Sequence, residues 1–147
     1  MPATTERITA EAYDAELVRK ATELVPLIRE HASATIAARA VVPEVFEALE
    51  EAGLLNLWVP ERYRGRAATL RTGLEVLSEI ARGDGSTAWA ATLLNVCTWF
   101  ATTFTEQAQD EVFGENPDAH VSGIFTPGSK AQRVPGGTSS AAGRVHH

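Results

Sequence analysis

Chemistry in this chain has few residues to draw on: four histidines, one cysteine, some neighbouring carboxylates and a buried amide. The histidines do not assemble. His31 lies in a helical stretch, His120 opens a segment of β character, and His146 and His147 close the chain. No two of them stand four apart with a carboxylate base, the spacing that sets two imidazoles on one helix face around zinc. No metal site is expected, and a proton-transfer role for His120 is the one histidine function left open. Cys97 sits among apolar neighbours, where a thiol is a small core residue rather than a nucleophile. Glu47, Glu50 and Glu51 form a solvated helix face, not a catalytic pair. Gly83-x-Gly85 lacks the third glycine and the preceding strand of a dinucleotide-binding loop. No Ser/His/Asp arrangement with supporting context exists, and no catalytic residue can be assigned. Asn95 remains. It lies within a stretch free of charge from Ser86 to Thr105, and a buried amide must find partners, either neighbouring backbone or a ligand. Trp89 and Trp99 flank it, as core aromatics or as the wall of a cavity.

The elements that must position these residues are helical. Residues 86–103 read as a core helix, roughly 27 Å long at 1.5 Å per residue, with Trp89, Leu93, Val96, Cys97 and Phe100 sharing a face. Before it, Leu70, Leu74, Leu77, Ile80 and Ala81 recur at the three- and four-residue steps of an amphipathic helix. Gly83 is expected to end that helix in the left-handed conformation, and Asp84 or Ser86 to cap the next. Upstream, residues 11–24 form a helix supported by Glu16 and Lys20 four apart. Pro26 costs about 3 kcal/mol inside a helix, so a second helix is expected to start there and run to about residue 38 with Leu27, Ile28, Ala32 and Ile36 inward. Pro43 opens another, with Val45, Phe46, Leu49 and Ala52 inward and Gly53 at its end. Leu54 to Val59 follow as an extended buried segment. Thr105 caps a last short helix with Ala108, Val112 and Phe113 inward and Gly114 at its end. After Pro117 the pattern changes: 119–126 reads as a strand, Pro127-Gly128 as a turn, 131–134 as a second strand, and Pro135-Gly136-Gly137 as another turn.

Composition bounds the class. A chain of 147 residues with 44% hydrophobic and 22% charged residues is one soluble globular domain. Its net charge of −6, with no basic patch, argues against a nucleic-acid partner. A single cysteine excludes an intramolecular disulfide and makes a cytoplasmic setting the default. The polar N-terminus is not a signal peptide. The threonines and Asn95 of the charge-free helix break the apolar run of about 20 residues that a membrane span needs. The expected organisation is a disordered N-terminus over 1–10, a helical domain over 11–116, the first strands of an incomplete β domain over 117–137, and an irregular tail over 138–147.

The ordered set Pro43-Glu44-Val45, Leu49-Glu50-Glu51-Ala52-Gly53-Leu54 and Val59-Pro60-Glu61-Arg62-Tyr63-Arg64-Gly65 resembles the N-terminal helical domain of the acyl-CoA dehydrogenase fold. Glu79 to Trp89 is similar to one branch, the two-component flavin-dependent monooxygenases such as the 4-hydroxyphenylacetate hydroxylases, dibenzothiophene monooxygenase and sugar nitrososynthases. Ser122 to Ala131, with Val134 to Gly137, is similar to the start of that family's central β domain. The fold class implied is mainly α, with the β domain only begun. The family's next strands differ here from Thr138 onward, and its C-terminal four-helix bundle does not follow, so the resemblance makes this an N-terminal piece, inactive by itself. It implies an enzyme that uses reduced FMN or FAD and O2 to hydroxylate a small, aromatic substrate. A separate flavin reductase would be one partner, and the full-length family assembles as homotetramers. On the resemblance Ser122, Gly123, Phe125 and Thr126 lie beside the flavin ring, while Trp89, Asn95 and Trp99 line the substrate cavity. Two other readings stay open: an acyl-CoA dehydrogenase proper, against which Thr126-Pro127-Gly128-Ser129-Lys130 replaces the residues usual there, and a helical interaction module without catalysis.

Overall fold

The computed structural model describes residues 14–116, 118–123, 129–135 and 137–142. Five α-helices come first: α1 (Ala15–Ala38), α2 (Pro43–Glu51), α3 (Leu70–Gly83), α4 (Gly85–Ala101) and α5 (Glu106–Phe113). An antiparallel hairpin of β1 (Ser129–Val134) and β2 (Gly137–Ala142) follows, in register from Ser129 opposite Ala142 to Val134 opposite Gly137. The mainly helical class holds. The expectations for 1–10, for the first residues (11–13) of the 11–24 helix, for Phe125 and Thr126, for the 127–128 turn and for 143–147 fall outside the described residues.

Helix α1 is one helix, not two, and Pro26 lies inside it. Leu17, Ala21, Val25 and Ile28 bury one stripe along its length, while Pro26 is on the exposed side, where the carbonyl that loses its partner can be hydrated. Burial of that stripe offsets the cost of the proline, since most helical stability comes from packing an amphipathic face. The direct charge pairs are those of Arg19, which bridges Glu16 and Glu23, while Lys20 acts on Glu16 through its charge alone. Asp14 caps the helix by accepting the amides of Glu16 and Leu17.

Helices α1 and α3 pack closely. Gly83 is not left-handed; it stands where α3 crosses α1, because a Cβ there would lie 2.6 Å from Ile28 Cγ2. Arg29 Nε donates to the Arg82 carbonyl at 3.0 Å, and Thr22 meets Glu79 at 3.0 Å. The buried stripe of α3 is Thr72, Gly73, Val76, Leu77 and Ile80, rotated from the expected one, so Leu70 and Leu74 are exposed. Asp84 alone joins α3 to α4. It is extended, and its carboxylate accepts both the amide and the hydroxyl of Thr87, the side-chain cap expected from the sequence.

Helix α4 is not buried on most sides. Its inward face is small and polar, namely Thr87, Ala88, Ala91, Asn95, Cys97, Thr98 and Ala101. Trp89 is 64% exposed and Trp99 43%. Absence of charge marks a helix with little contact with water in a finished fold, but it does not say which face packs first. Leu54, Leu55, Leu57 and Val59 are buried as expected and Trp58 is half-buried, in turns and bends rather than an extended run. Gly53, with φ +73°, makes the left-handed exit from α2 that only glycine adopts freely. Two apolar clusters result: a main one of α1, α2, α3 and α4 around Ile28, Leu49, Leu57 and Ile80, and a smaller one of Val59, Tyr63, Ala101 and Phe113.

The β region departs furthest from expectation. The described part of 119–126, residues 119–123, is irregular, the strand begins at Ser129, and residues 138–142, expected in the tail, form β2. Val121, half-buried, packs on the second helical cluster, so its β-branched type reported burial, not strand pairing.

Candidate functional site

Residues 119–123 run back across the helical domain and form one side of an open cavity. Ala119 and Val121 pack on the Tyr63–Phe113 cluster. The Val121 amide donates to Thr98 Oγ1 at 3.1 Å. The ring of His120 meets Phe46 edge-on, 5.6 Å between centroids, and its Nε2 lies 2.9 Å from Glu50 Oε1. Its Nδ1 is buried without a partner among the described residues.

The cavity so formed has a volume of about 350 Å³. One wall is a stripe of α4, Ala90, Leu93, Leu94 and Cys97; the second is Val41 and Phe46; the third is Ser122 and Gly123. The surroundings are apolar, and polar groups come only from the thiol of Cys97, the hydroxyl of Ser122 and nearby backbone. Such a cleft suits a flat, largely apolar ligand whose few polar atoms meet main-chain groups at one edge. Among the described residues no three histidine, cysteine or carboxylate side chains converge on a metal site.

The residues singled out in the sequence divide. Ser122 and Gly123 line this cavity; Phe125 and Thr126 lie outside the described residues. Asn95 is 2% exposed, and its amide is fully engaged: Nδ2 donates to the carbonyls of Leu54 and Ala91, and Oδ1 accepts the Leu57 amide, each at 2.9 Å. Trp99 lines a separate groove of about 500 Å³ with Trp58, Ala67, Ala68, Leu70 and Val96. Trp89 borders a third depression beside Ile36, Arg39 and Val41. The sequence reading passed over Phe46, Leu93 and Cys97 as cavity residues. Positions 90, 93, 94 and 97 do follow the spacing of one helix face, so the signal was present, but it was indistinguishable from a core stripe.

Beyond the cavity, two perturbed groups lie at the second cluster. Tyr63 donates to the Asp110 carboxylate, and this bond, with burial, raises its pKa above the ordinary tyrosine value. Arg62 bonds Glu106 at 2.9 Å and Gln109 at 2.6 Å; the bond to Glu106 raises its pKa. Its guanidinium lies 4.8 Å from the centre of the Tyr63 ring. These groups bind α5 to the 61–63 turn and face away from the cavity chemistry.

Comparison with known proteins extends these observations. Residues 15–114 match the family described as acyl-CoA dehydrogenase, N-terminal domain. The chain is 32% identical over 114 residues to a flavin-dependent monooxygenase oxygenase subunit, HsaA, of Rhodococcus jostii, a match covering 78% of this chain and 30% of that protein. It is 31% identical over 121 residues to an FADH(2)-dependent resorcinol hydroxylase oxygenase component of Rhizobium sp., covering 82% of this chain and 30% of the relative. Among solved structures, a 3-HSA hydroxylase from Rhodococcus sp. RHA1 superposes with a TM-score of 0.82 at 30% identity, covering 86% of this chain and 33% of that one. XiaF from Streptomyces sp., in complex with FADH2 and glycerol, gives 0.79 at 28% identity, covering 86% and 32%. The chain spans about a third of the length of the relatives it matches.

Proposed function

From the premise that this chain belongs to the acyl-CoA dehydrogenase N-terminal domain family, we propose that it forms the N-terminal part of a two-component flavin-dependent monooxygenase. The whole protein would use reduced FMN or FAD and O2 to hydroxylate a small aromatic substrate. The observation that carries this reading is the cavity between α4, Phe46 and the Ser122-Gly123 backbone. The relatives' names support the hydroxylase branch over an acyl-CoA dehydrogenase proper.

The donor set fits a flavin ring. The walls are apolar, and Ser122 and Gly123 supply a hydroxyl and main-chain groups at one edge, a combination that holds a flat heterocycle by its face and its rim. Bound reduced flavin would supply the electrons that activate oxygen. The protein's part is to exclude water with Phe46, Leu93 and Leu94, and to orient the ring against Ser122 and Gly123. Phe125 and Thr126 would extend that edge. Trp99, and Trp89 further along α4, offer flat walls to an aromatic substrate from neighbouring grooves. Asn95 would serve the substrate site by fastening the 54–57 turn to α4.

A flavin reductase is the expected electron source, and a cytoplasmic setting is the expected compartment. Assembly of the whole protein as a homo-oligomer is supported by the apolar face of α4. No helix among the described residues is long and apolar enough to cross a membrane.

The test is anaerobic titration of this chain with reduced FMN and reduced FAD, following tryptophan fluorescence. Saturable quenching by either, beyond that of free N-acetyltryptophanamide under the same conditions, is the expected result. A flat response to both across the millimolar range would remove the flavin assignment from this part of the protein.

A further inference from the structure

Resting on that reading, we propose that Thr98 is a positioning residue for the Ser122-Gly123 wall, seconded by the Glu50–His120 pair. Residues 119–123 belong to no strand or helix, so their backbone has no regular ladder to hold it. Val121 is half-buried while Ser122 and Gly123 are exposed, so where the segment meets the helices its backbone must be satisfied by side chains. Thr98 is 1% exposed, and its hydroxyl accepts the Val121 amide at 3.1 Å.

The place of this bond matters. Cys97, the preceding residue of α4, lines the cavity, and so does Ser122, the residue after Val121. The bond therefore joins two walls at the seam where they meet. The other seam is fastened from α2. Phe46 lines the cavity and packs edge-on against His120, whose Nε2 bonds Glu50 one turn further along the same helix. Each helical wall is thus tied to the irregular wall by the neighbour of a lining residue. A shift of Val121 moves the Ser122 amide and hydroxyl with it.

The experiment reads amide exchange at Val121, Ser122 and Gly123 by NMR, and in parallel the affinity for reduced FMN and reduced FAD. The variants are Thr98→Val, Thr98→Ser, and Glu50→Ala as a surface change that spares the core. Thr98→Val should speed exchange at these three amides about tenfold or more, as local opening loses its restraint, and weaken flavin binding by a similar factor. Thr98→Ser should restore both. Glu50→Ala should move both in the same direction by less. If exchange at 121–123 is unchanged in Thr98→Val, or in Glu50→Ala should the valine variant not fold, the positioning role is overturned. It is also overturned if exchange rises while flavin affinity stays at the wild-type value. Wild type that binds neither flavin overturns the functional reading beneath the proposal; the exchange data then show separately whether the Thr98 bond holds the segment.

Discussion

The side-chain oxygen of Asn95 accepts the backbone amide of Leu57 at 2.9 Å, joining the middle of α4 to a buried segment that has no regular structure of its own. With the two bonds from Nδ2 to Leu54 and Ala91, one side chain satisfies both the Leu54 carbonyl and the Leu57 amide. Each buried backbone group orphaned by its removal costs about 1–3 kcal/mol. Asn95→Leu, similar in size, orphans the Leu57 amide and the Leu54 carbonyl together. The expected loss is therefore at least about 2 kcal/mol in urea unfolding. A loss below about 0.5 kcal/mol, the range of neutral surface changes, would remove Asn95 from the scaffold.

Asn95 also shows what the sequence could and could not tell. Its burial was legible, because no charged residue surrounds it, and so were its two competing uses. What the sequence could not show was the 54–57 turn, some forty residues away in the chain, whose unsatisfied backbone no periodicity announces. The same limit explains Gly83. A glycine near a helix end suggests a left-handed exit, whereas its reason here is the approach of Ile28, a contact known only once α1 and α3 are packed. The stripes of α3 and α4 were displaced because apolar type does not distinguish a face packed within this part of the chain from one left uncovered. The caps at Asp84 and Thr105, being local, were read correctly.

The uncovered face yields a direct comparison. Trp89 is 64% exposed although it belongs to an almost charge-free helix, while Leu57 is fully buried. Trp89→Ala should change the unfolding free energy by no more than about 0.5 kcal/mol. Leu57→Ala should cost about 2–5 kcal/mol, the range for truncating a buried leucine. Chemical denaturation of the two variants measures both, and equal losses would mean that α4 is turned the other way.

Stability at high pH should depend on Tyr63. Its bond to the Asp110 carboxylate and its burial raise its pKa in the fold, whereas the unfolded chain titrates near about 10. The folded state therefore prefers the protonated phenol. That contribution is complete below the unfolded value and is lost as pH rises past it through the higher folded value. Wild type should lose stability between about pH 9 and pH 12 more steeply than Tyr63→Phe, which has no phenol to ionise. Thermal unfolding across that range checks this, and parallel curves would show that the Asp110 bond does not bias ionisation.

Leu93 separates the cavity from the fold. It lines the cavity between α4 and Ser122 yet is 38% exposed, so enlarging it need not strain the core. Leu93→Trp places an indole in about 350 Å³ of ligand space, while the buried face of α4, from Ala88 to Ala101, is untouched. Overpacking costs about 1–3 kcal/mol where a side chain has nowhere to go; at this rim it can turn outward, and the melting temperature should stay within a few degrees of wild type. Affinity for reduced flavin should fall tenfold or more, since a ring stacked against this wall would compete with the indole for the same volume. Retained affinity in a variant that melts normally would place the flavin elsewhere, and the groove of Trp58 and Trp99 would then be the next surface to block.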